Sequence, residues 1–295
     1  MLKDWIEAIR LRTLPLAIAS IGMGGILAYA HGVFDRTVFL LCISTTILLQ
    51  ILSNLANDYG DSIHGADNVE REGPLRVVQK GNISKQAMRN AIVITAILSL
   101  ISGVQLLMVA SLDSTVFWIF IGLGLLAIAA AVLYTNGYRP YGYEGFGDIS
   151  VFLFFGFLAV GGTYYLQAGN FDPLILLPAA SIGCFTVGVL NVNNIRDIES
   201  DKLAGKNSIP VRLGRKRAVV YHGILLSVGV LACLIYQVLM DAQLVGYLFL
   251  LTIPLFLQNY MAVKSKLNAS ALDPYLKRLA LSTLAFVVLF GFSVM

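Results

Sequence analysis

The sequence predicts an all-α, polytopic membrane protein: a bundle of nine transmembrane helices with its active site on the cytoplasmic side. Three observations carry that expectation. Ala, Val, Ile, Leu, Met, Phe, Trp, Tyr and Cys make up 57% of the 295 residues and charged residues only 13%, about half the charge of an ordinary soluble globule. Nine apolar segments reach the length of about 20 residues needed to cross the hydrocarbon. Finally, 20 of the 21 Lys and Arg residues fall on one side of a nine-span arrangement. A disordered chain, a disulfide scaffold and a water-soluble enzyme are excluded. Cys42, Cys184 and Cys233 all lie inside apolar runs, and no metal or redox CxxC spacing occurs.

The first span is expected at 14–32, after a short amphipathic stretch from Met1 to Arg12 that has no cleavable signal pattern. The others follow at 37–57, 90–110, 115–134, 149–168, 173–193, 218–239, 243–263 and 279–294. Inside hydrocarbon the backbone must satisfy its own hydrogen bonds, so each is expected to be helical. The bases gather in the N-terminal stretch and in the loops after the second, fourth, sixth and eighth spans; Arg36 is the exception. Positive loops stay inside, which places the N-terminus in the cytoplasm and the C-terminus outside a bacterial cytoplasmic (inner) membrane. Bases spread in this way mark topology. They point to the lipid bilayer as the partner and away from nucleic acid.

Two loops on the basic side, at 58–89 and 194–217, are longer than a connection needs and are dense in charge. Chemistry is expected there. Asn54, Asp58 and Asp61 stand at i, i+4 and i+7, so a continuing helix puts them on one face; Asn57 lies between them and Asp67 lies further into the loop. Asn193, Asp197 and Asp201 repeat the pattern at i, i+4 and i+8. Each cluster is followed by a basic stretch that contains Gly, ending at Arg76 in one case and running through Lys206 to Arg212 in the other. Carboxylate and amide oxygens at a helix end form an all-oxygen site suited to Mg²⁺, which prefers a few carboxylates completed by phosphate oxygens and water. Two such clusters with bases beside them describe a clamp for a diphosphate, where cations stabilise charge on a departing group.

A third stretch, Tyr134 to Asp148, is rich in Tyr and Gly and carries one base, Arg139, to which a phosphate or carboxylate role is assigned. His64, Glu70, Glu72 and Glu199 are expected to be solvated loop groups. A secondary transporter is the rival from another class, but its acids would lie near the bilayer midplane. A magnesium-dependent phospholipid-headgroup transferase would need an Asp-Gly…Ala-Arg…Gly…Asp…Asp signature, which is absent.

The chain resembles the UbiA superfamily of intramembrane aromatic prenyltransferases, over essentially its whole length. The resemblance rests on Arg12-Thr13-Leu14-Pro15, Asn57-Asp58-Tyr59-Gly60-Asp61, Gly73-Pro74-Leu75-Arg76, Gln79-Lys80-Gly81, Arg139-Pro140-Tyr141-Gly142-Tyr143, Gly147-Asp148, Asn193-Asn194-Ile195-Arg196-Asp197, Gly205-Lys206-Asn207 and Val211-Arg212-Leu213-Gly214. Several of these segments are similar to the branch that acts on 1,4-dihydroxy-2-naphthoate. The chain departs from many members in having Gly65 where a third acid stands in the first motif, with Asp67 as a substitute; Ser208-Ile209-Pro210 also departs from the usual Thr-Leu.

The resemblance implies a single domain over 1–295, with Asp-rich motifs at 54–67 and 193–201. It implies Mg²⁺ held by Asp58, Asp61, Asp67, Asp197 and Asp201, with Asn54, Asn57 and Asn193 completing or orienting the set. Arg76, Arg139, Lys206 and Arg212 would bind diphosphate or the acceptor's carboxylate, and Tyr134 would line the acceptor. The substrates implied are a polyprenyl diphosphate and an aromatic acid. Prenyl transfer to the naphthoate with loss of CO₂ would give demethylmenaquinone. The rival acceptors are 4-hydroxybenzoate and a haem vinyl group.

Overall fold

The computed structural model describes residues 2–63 and 76–292. Among them there is no strand, and nine helical spans are long and apolar enough to cross a membrane. The chain opens with amphipathic α1 (Leu2–Ile9), then α2 (Leu14–Ala30), α3 (Arg36–Ile63), α4 (Lys85–Val109) and α5 (Ser114–Leu133). Next come α6 (Gly147–Ala168), α7 (Pro173–Arg196), the short α8 (Ile198–Leu203), α9 (Ile209–Leu239), α10 (Leu244–Ser265) and α11 (Ser270–Phe292).

All nine expected spans are present, but their ends differ in an informative way. Expected at 37–57, the second continues as α3 to Ile63. The third begins at Lys85 with Ser84 as its cap, the Ser84 hydroxyl accepting from the Ala87 amide at 3.1 Å. The seventh starts at Ile209 and the ninth at Ser270, well before the apolar runs at 218 and 279. Polar residues end a hydropathy window without ending a helix, whose backbone bonds persist beyond the hydrocarbon. These overhangs carry the functional side chains.

Several helices depart from regular α geometry. Residues Phe152–Gly161 of α6 form a π-helical stretch, a rare geometry that is frequent at functional sites. It contributes Phe154, Phe155, Leu158 and Ala159 to the cavity described below. In α9, Gly214 has φ +72°, a left-handed value that glycine adopts without steric cost, and the helix kinks there.

The densest packing centres on α7, against α6, α9 and α11. Phe185 of α7 stacks on Phe256 at 4.5 Å between ring centroids and meets Phe286 edge-on at 4.9 Å. On the opposite flank α5 is the least buried span, and Trp118, Ile119, Leu125 and Leu126 face outward, as lipid-facing side chains do. At the end of the bundle that carries the basic loops, α1 is tied to the connection after α3 by Lys80–Glu7 at 2.5 Å and by Asn82 donating to Asp4 at 2.7 Å.

Candidate active site

Because α3 stays helical to Ile63, Asn54, Asp58 and Asp61 are turned into the bundle, each nearly inaccessible. Asp61 is the hub of the site. It accepts from the Tyr143 hydroxyl at 2.5 Å, pairs with Lys206 at 3.1 Å, and receives the Arg76 guanidinium, which also donates to the Asn57 carbonyl. Lys206 reaches on to Asp201 at 3.6 Å and lies 4.6 Å from the centre of the Tyr143 ring. One ammonium therefore joins the two acidic motifs.

One backbone contact joins the loop of Tyr143 to that of Lys206, and another closes the turn after α8. The Asn207 amide donates to the Tyr143 carbonyl at 2.7 Å, and the Lys206 amide to the Asp201 carbonyl at 2.8 Å. Gly60 allows the loop to sit on α3 at all, since a Cβ there would lie 2.5 Å from both Thr135 oxygens. The Thr135 hydroxyl donates to the Ala56 carbonyl at 3.1 Å and to Asn57 Oδ1 at 3.2 Å.

The second motif does not stand on one continuous helix. The chain leaves α7 at Asp197, whose φ of −97° and ψ of 14° are not helical, and α8 restarts at Ile198. Backbone bonds from Asp197 N to Asn193 O at 3.1 Å and from Asp201 N to Asp197 O at 2.8 Å bridge the break. The i, i+4, i+8 spacing is thereby kept even though the expected continuous helix is not. Arg196 takes both oxygens of Asp197, from Nε at 2.8 Å and from Nη2 at 2.7 Å, and Nη2 also donates to Asn193 Oδ1 at 2.9 Å.

Electrostatics follow burial. Loss of solvent pushes the Asp201 carboxyl up to about 6; Lys206 pulls it back, and Asp197 and Asp61 add to the rise. Burial and the neighbouring Asp61 raise the Tyr143 phenol, and burial with nearby Asp148 raises Tyr134, so both remain protonated at neutral pH.

These groups form the mouth of a cavity of about 410 Å³. Its polar wall includes Asn54, Asn57, Asp61, Arg76, Tyr134, Asn193, Asp197, Asp201 and Lys206. Beyond the mouth the wall is apolar, through Leu49, Leu100, Val104, Ile128, Phe154 and Leu158. It reaches Cys42, Phe120 and Leu166 near the far ends of their spans.

Other expected residues are placed differently. Asp58 is buried beside the mouth but does not line it. Asn54 donates its amide to the Ile9 carbonyl at 2.8 Å and to Thr13 Oγ1 at 3.0 Å, which fastens the N-terminal segment to α3, while its Oδ1 accepts from Gln50 Nε2 at 3.3 Å. Arg139 is exposed and off the cavity wall, because the loop turns it outward. Arg212 is also exposed and is spent on stapling loops, donating to the Asn207 carbonyl at 2.8 Å and to the Glu144 carbonyl at 2.6 Å. Asp67 and His64 lie outside the described residues.

The sequence assigns no site role to Arg10, Arg12, Tyr143, Lys277 or Asp273, although Arg12 and Tyr143 stand in segments that carry the family resemblance. The first four line the cavity, and Asp273 pairs with Arg12 and Arg196. Tyr143 had a signal, since it belongs to the Tyr- and Gly-rich stretch. Asp273 had none, being one acid at the head of an apolar span.

Residues 17–292 match the UbiA prenyltransferase family. A 1,4-dihydroxy-2-naphthoate octaprenyltransferase of Haemophilus influenzae is 47% identical over 293 residues, covering 98% of this chain and 95% of that one. The protein of the same name from Escherichia coli is 47% identical over 287 residues, covering 97% and 93%. Among solved structures, a UbiA homolog from Aeropyrum pernix superposes with a TM-score of 0.67 at 16% identity, covering 96% of each chain. A UbiA homolog from Archaeoglobus fulgidus bound to GPP and Mg²⁺ gives 0.65 at 17% identity, covering 99% of each. The structures share the fold, while the family match and the two relatives cover nearly the whole chain; it belongs to the UbiA prenyltransferase family.

Proposed function

We propose that this membrane prenyltransferase moves a polyprenyl group from polyprenyl diphosphate to 1,4-dihydroxy-2-naphthoate, with release of CO₂ and dependence on Mg²⁺. The observation that carries the reading is the single cavity that joins both acidic motifs, through Lys206, to a long apolar wall. It suits a ligand with a doubly phosphorylated head and a hydrocarbon tail. The acceptor is supported by the two relatives at 47% identity whose names carry that naphthoate.

The donor set fits a divalent cation. Asp61 and Asp201 already share one positive charge, at 3.1 and 3.6 Å from the Lys206 ammonium. Among the described residues no three His, Cys, Asp or Glu side chains are gathered to hold a metal alone, and Mg²⁺ characteristically takes few carboxylates and completes its shell with phosphate oxygens and water. Asp61, Asp197 and Asp201 would hold it, with Asn193 beside them. When bound, it supplies neutralising charge to the departing diphosphate.

The chain's own groups do the rest. Arg76 and Lys206, held by Asp61, present cations to the diphosphate, whose ester oxygen takes up the electron pair as the allylic C–O bond breaks. The ring carbon bearing the carboxylate supplies the pair for the new C–C bond. Its bond to the carboxylate then breaks, CO₂ leaves, and those electrons restore the aromatic ring. The products are diphosphate, CO₂ and the reduced form of demethylmenaquinone. No proton leaves the substituted carbon, so this route asks no general base of the protein. The apolar wall keeps water from the allylic cation.

The test is incubation of purified protein with Mg²⁺, a polyprenyl diphosphate and naphthoate labelled in its carboxyl carbon. One labelled CO₂ per prenylated product is expected, with 4-hydroxybenzoate a poor substrate. A product that retains its carboxylate, or a preference for 4-hydroxybenzoate, overturns the acceptor assignment. The site is proposed to face the cytoplasm on the strength of the Lys and Arg asymmetry. In a background lacking native cysteines, Ser114→Cys should react with an impermeant thiol reagent added outside and Gln86→Cys should not; the reverse pattern inverts the topology.

A further inference from the structure

Arg196 carries a full charge at a place where water cannot reach it, its side chain being 0% exposed. It is held from two sides. Asp197 takes Nε and Nη2, and Nη1 donates to Asp273 Oδ1 at 2.6 Å, from a residue 77 positions further along the chain. Asp273 opens the regular α-helical part of the last span, where the helix dipole favours an acid. It also accepts from Arg12 Nη1, at 3.1 Å on each oxygen. Two acids and two bases from three distant segments thus form one neutral chain that ends on the second acidic motif.

We propose that Asp273 is a positioning residue for Asp197, setting how much of that carboxylate is left for a divalent cation. The inference rests on the reading of the two acidic motifs as a cation site. A guanidinium that grips both oxygens of a carboxylate also takes up most of its charge. Asp273 draws the same guanidinium from the other end, so Asp197 is only partly neutralised. Without the Asp273 charge, all of Arg196 falls on Asp197, and the site becomes one unit more positive toward any arriving cation. Arg12 acts in the opposite direction, because it neutralises part of Asp273 and so weakens its pull on Arg196.

The test uses the full-length protein in lipid nanodiscs, with Mn²⁺ binding followed by electron paramagnetic resonance of the free ion, independently of turnover. Asp273→Asn should weaken Mn²⁺ binding about fivefold or more and raise the Mg²⁺ half-saturation of prenyl transfer in parallel. Asp273→Glu should restore binding to within about twofold of the parent, since it returns the charge. Arg12→Gln should tighten Mn²⁺ binding, a direction that general loosening of the fold would not give, and it decides the matter if the Asn variant does not fold. Glu199→Gln, which neutralises an exposed acid of α8 paired to Lys202 at 3.3 Å, should leave binding unchanged. The proposal is overturned if Asp273→Asn binds Mn²⁺ like the parent, if Glu199→Gln shows the same loss, or if Arg12→Gln weakens binding. If the parent binds no Mn²⁺ and turns over in excess chelator, the cation reading itself fails. If the parent binds and the Asn variant binds equally, only the role of Asp273 fails.

Discussion

Asp61, at the end of α3, is held by groups that all come from elsewhere in the chain: Arg76, Tyr143 and Lys206. Asp197, at the end of α7, is held by its own neighbour Arg196, with Asp273 behind it. The first motif sits on an unbroken helix but depends on three loops folding over it. The second sits at a helix break and carries its own partner. The same residue types at similar helical spacings are therefore fixed by different physics, one through tertiary loop docking and the other through a local fork completed from the last span. A single substitution should read differently in the two halves.

The largest effects are expected from the acids themselves. Asp61→Asn and Asp197→Asn should each lower the prenyl-transfer rate by about 10²–10³-fold, the scale on which preorganised charge acts. Asp61→Asn should also cost more stability, because Arg76 and Lys206 both lose a buried carboxylate partner, and removing one member of a buried ion pair is expensive. Rates at saturating Mg²⁺ and melting temperatures in lipid check both. Near-normal turnover in either variant breaks the clamp, and equal melting temperatures break the asymmetry.

A smaller effect isolates the imported half. Gly60→Ala would drive a Cβ to 2.5 Å from the Thr135 oxygens and lift the loop that brings Tyr143 to Asp61. Overpacking of this kind costs about 1–3 kcal/mol. Activity should fall with it while the Arg196–Asp197 fork is untouched. If Gly60→Ala melts and turns over like the parent, loop docking does not govern the first motif.

The pH dependence separates the motifs further. With Asp201 titrating at about 6, its carboxylate is charged above that pH and protonated below it. Cation binding should therefore weaken as pH falls from 7.5 through 6, and Asp201→Asn should flatten that profile. An unchanged slope in Asp201→Asn would assign the titration to another group.

The smallest effect is expected at Arg139, which lies exposed and off the cavity. Arg139→Ala should alter the acceptor KM by less than about twofold, within what surface substitutions usually do. A large KM increase would return Arg139 to the acceptor site and require its loop to close over the cavity.

Much of the site could be read from residue order, for a reason visible at Asp61 and Asp201. Their spacing from Asn54 and Asn193 is helical, and helix periodicity needs no knowledge of neighbours. Arg139 and Arg212 show where that reading fails. Both are bases in loops beside the motifs, and only the loop path decides that one faces solvent while the other binds the Glu144 and Asn207 carbonyls. Asp273 could not be found in this way, since its partners Arg12 and Arg196 are distant in the chain and brought near by packing of the last span.

The sequence by itself determined that nine stretches are long and apolar enough to cross a membrane as helices and that two acidic motifs follow the second and sixth of them. It also determined that 20 of the 21 Lys and Arg residues fall in the N-terminal stretch and the alternate connections. These are consequences of hydrocarbon length, backbone hydrogen bonding and side-chain charge, each a property of a short stretch of chain. Only the tertiary structure decided that Lys206 bridges the motifs, that Asn54 ties down the N-terminal segment, and that the helix breaks at Asp197. The same holds for the choice of bases that line the cavity. Those outcomes depend on which loops lie against which helix ends, where buried charges must find partners from any part of the chain that can reach them.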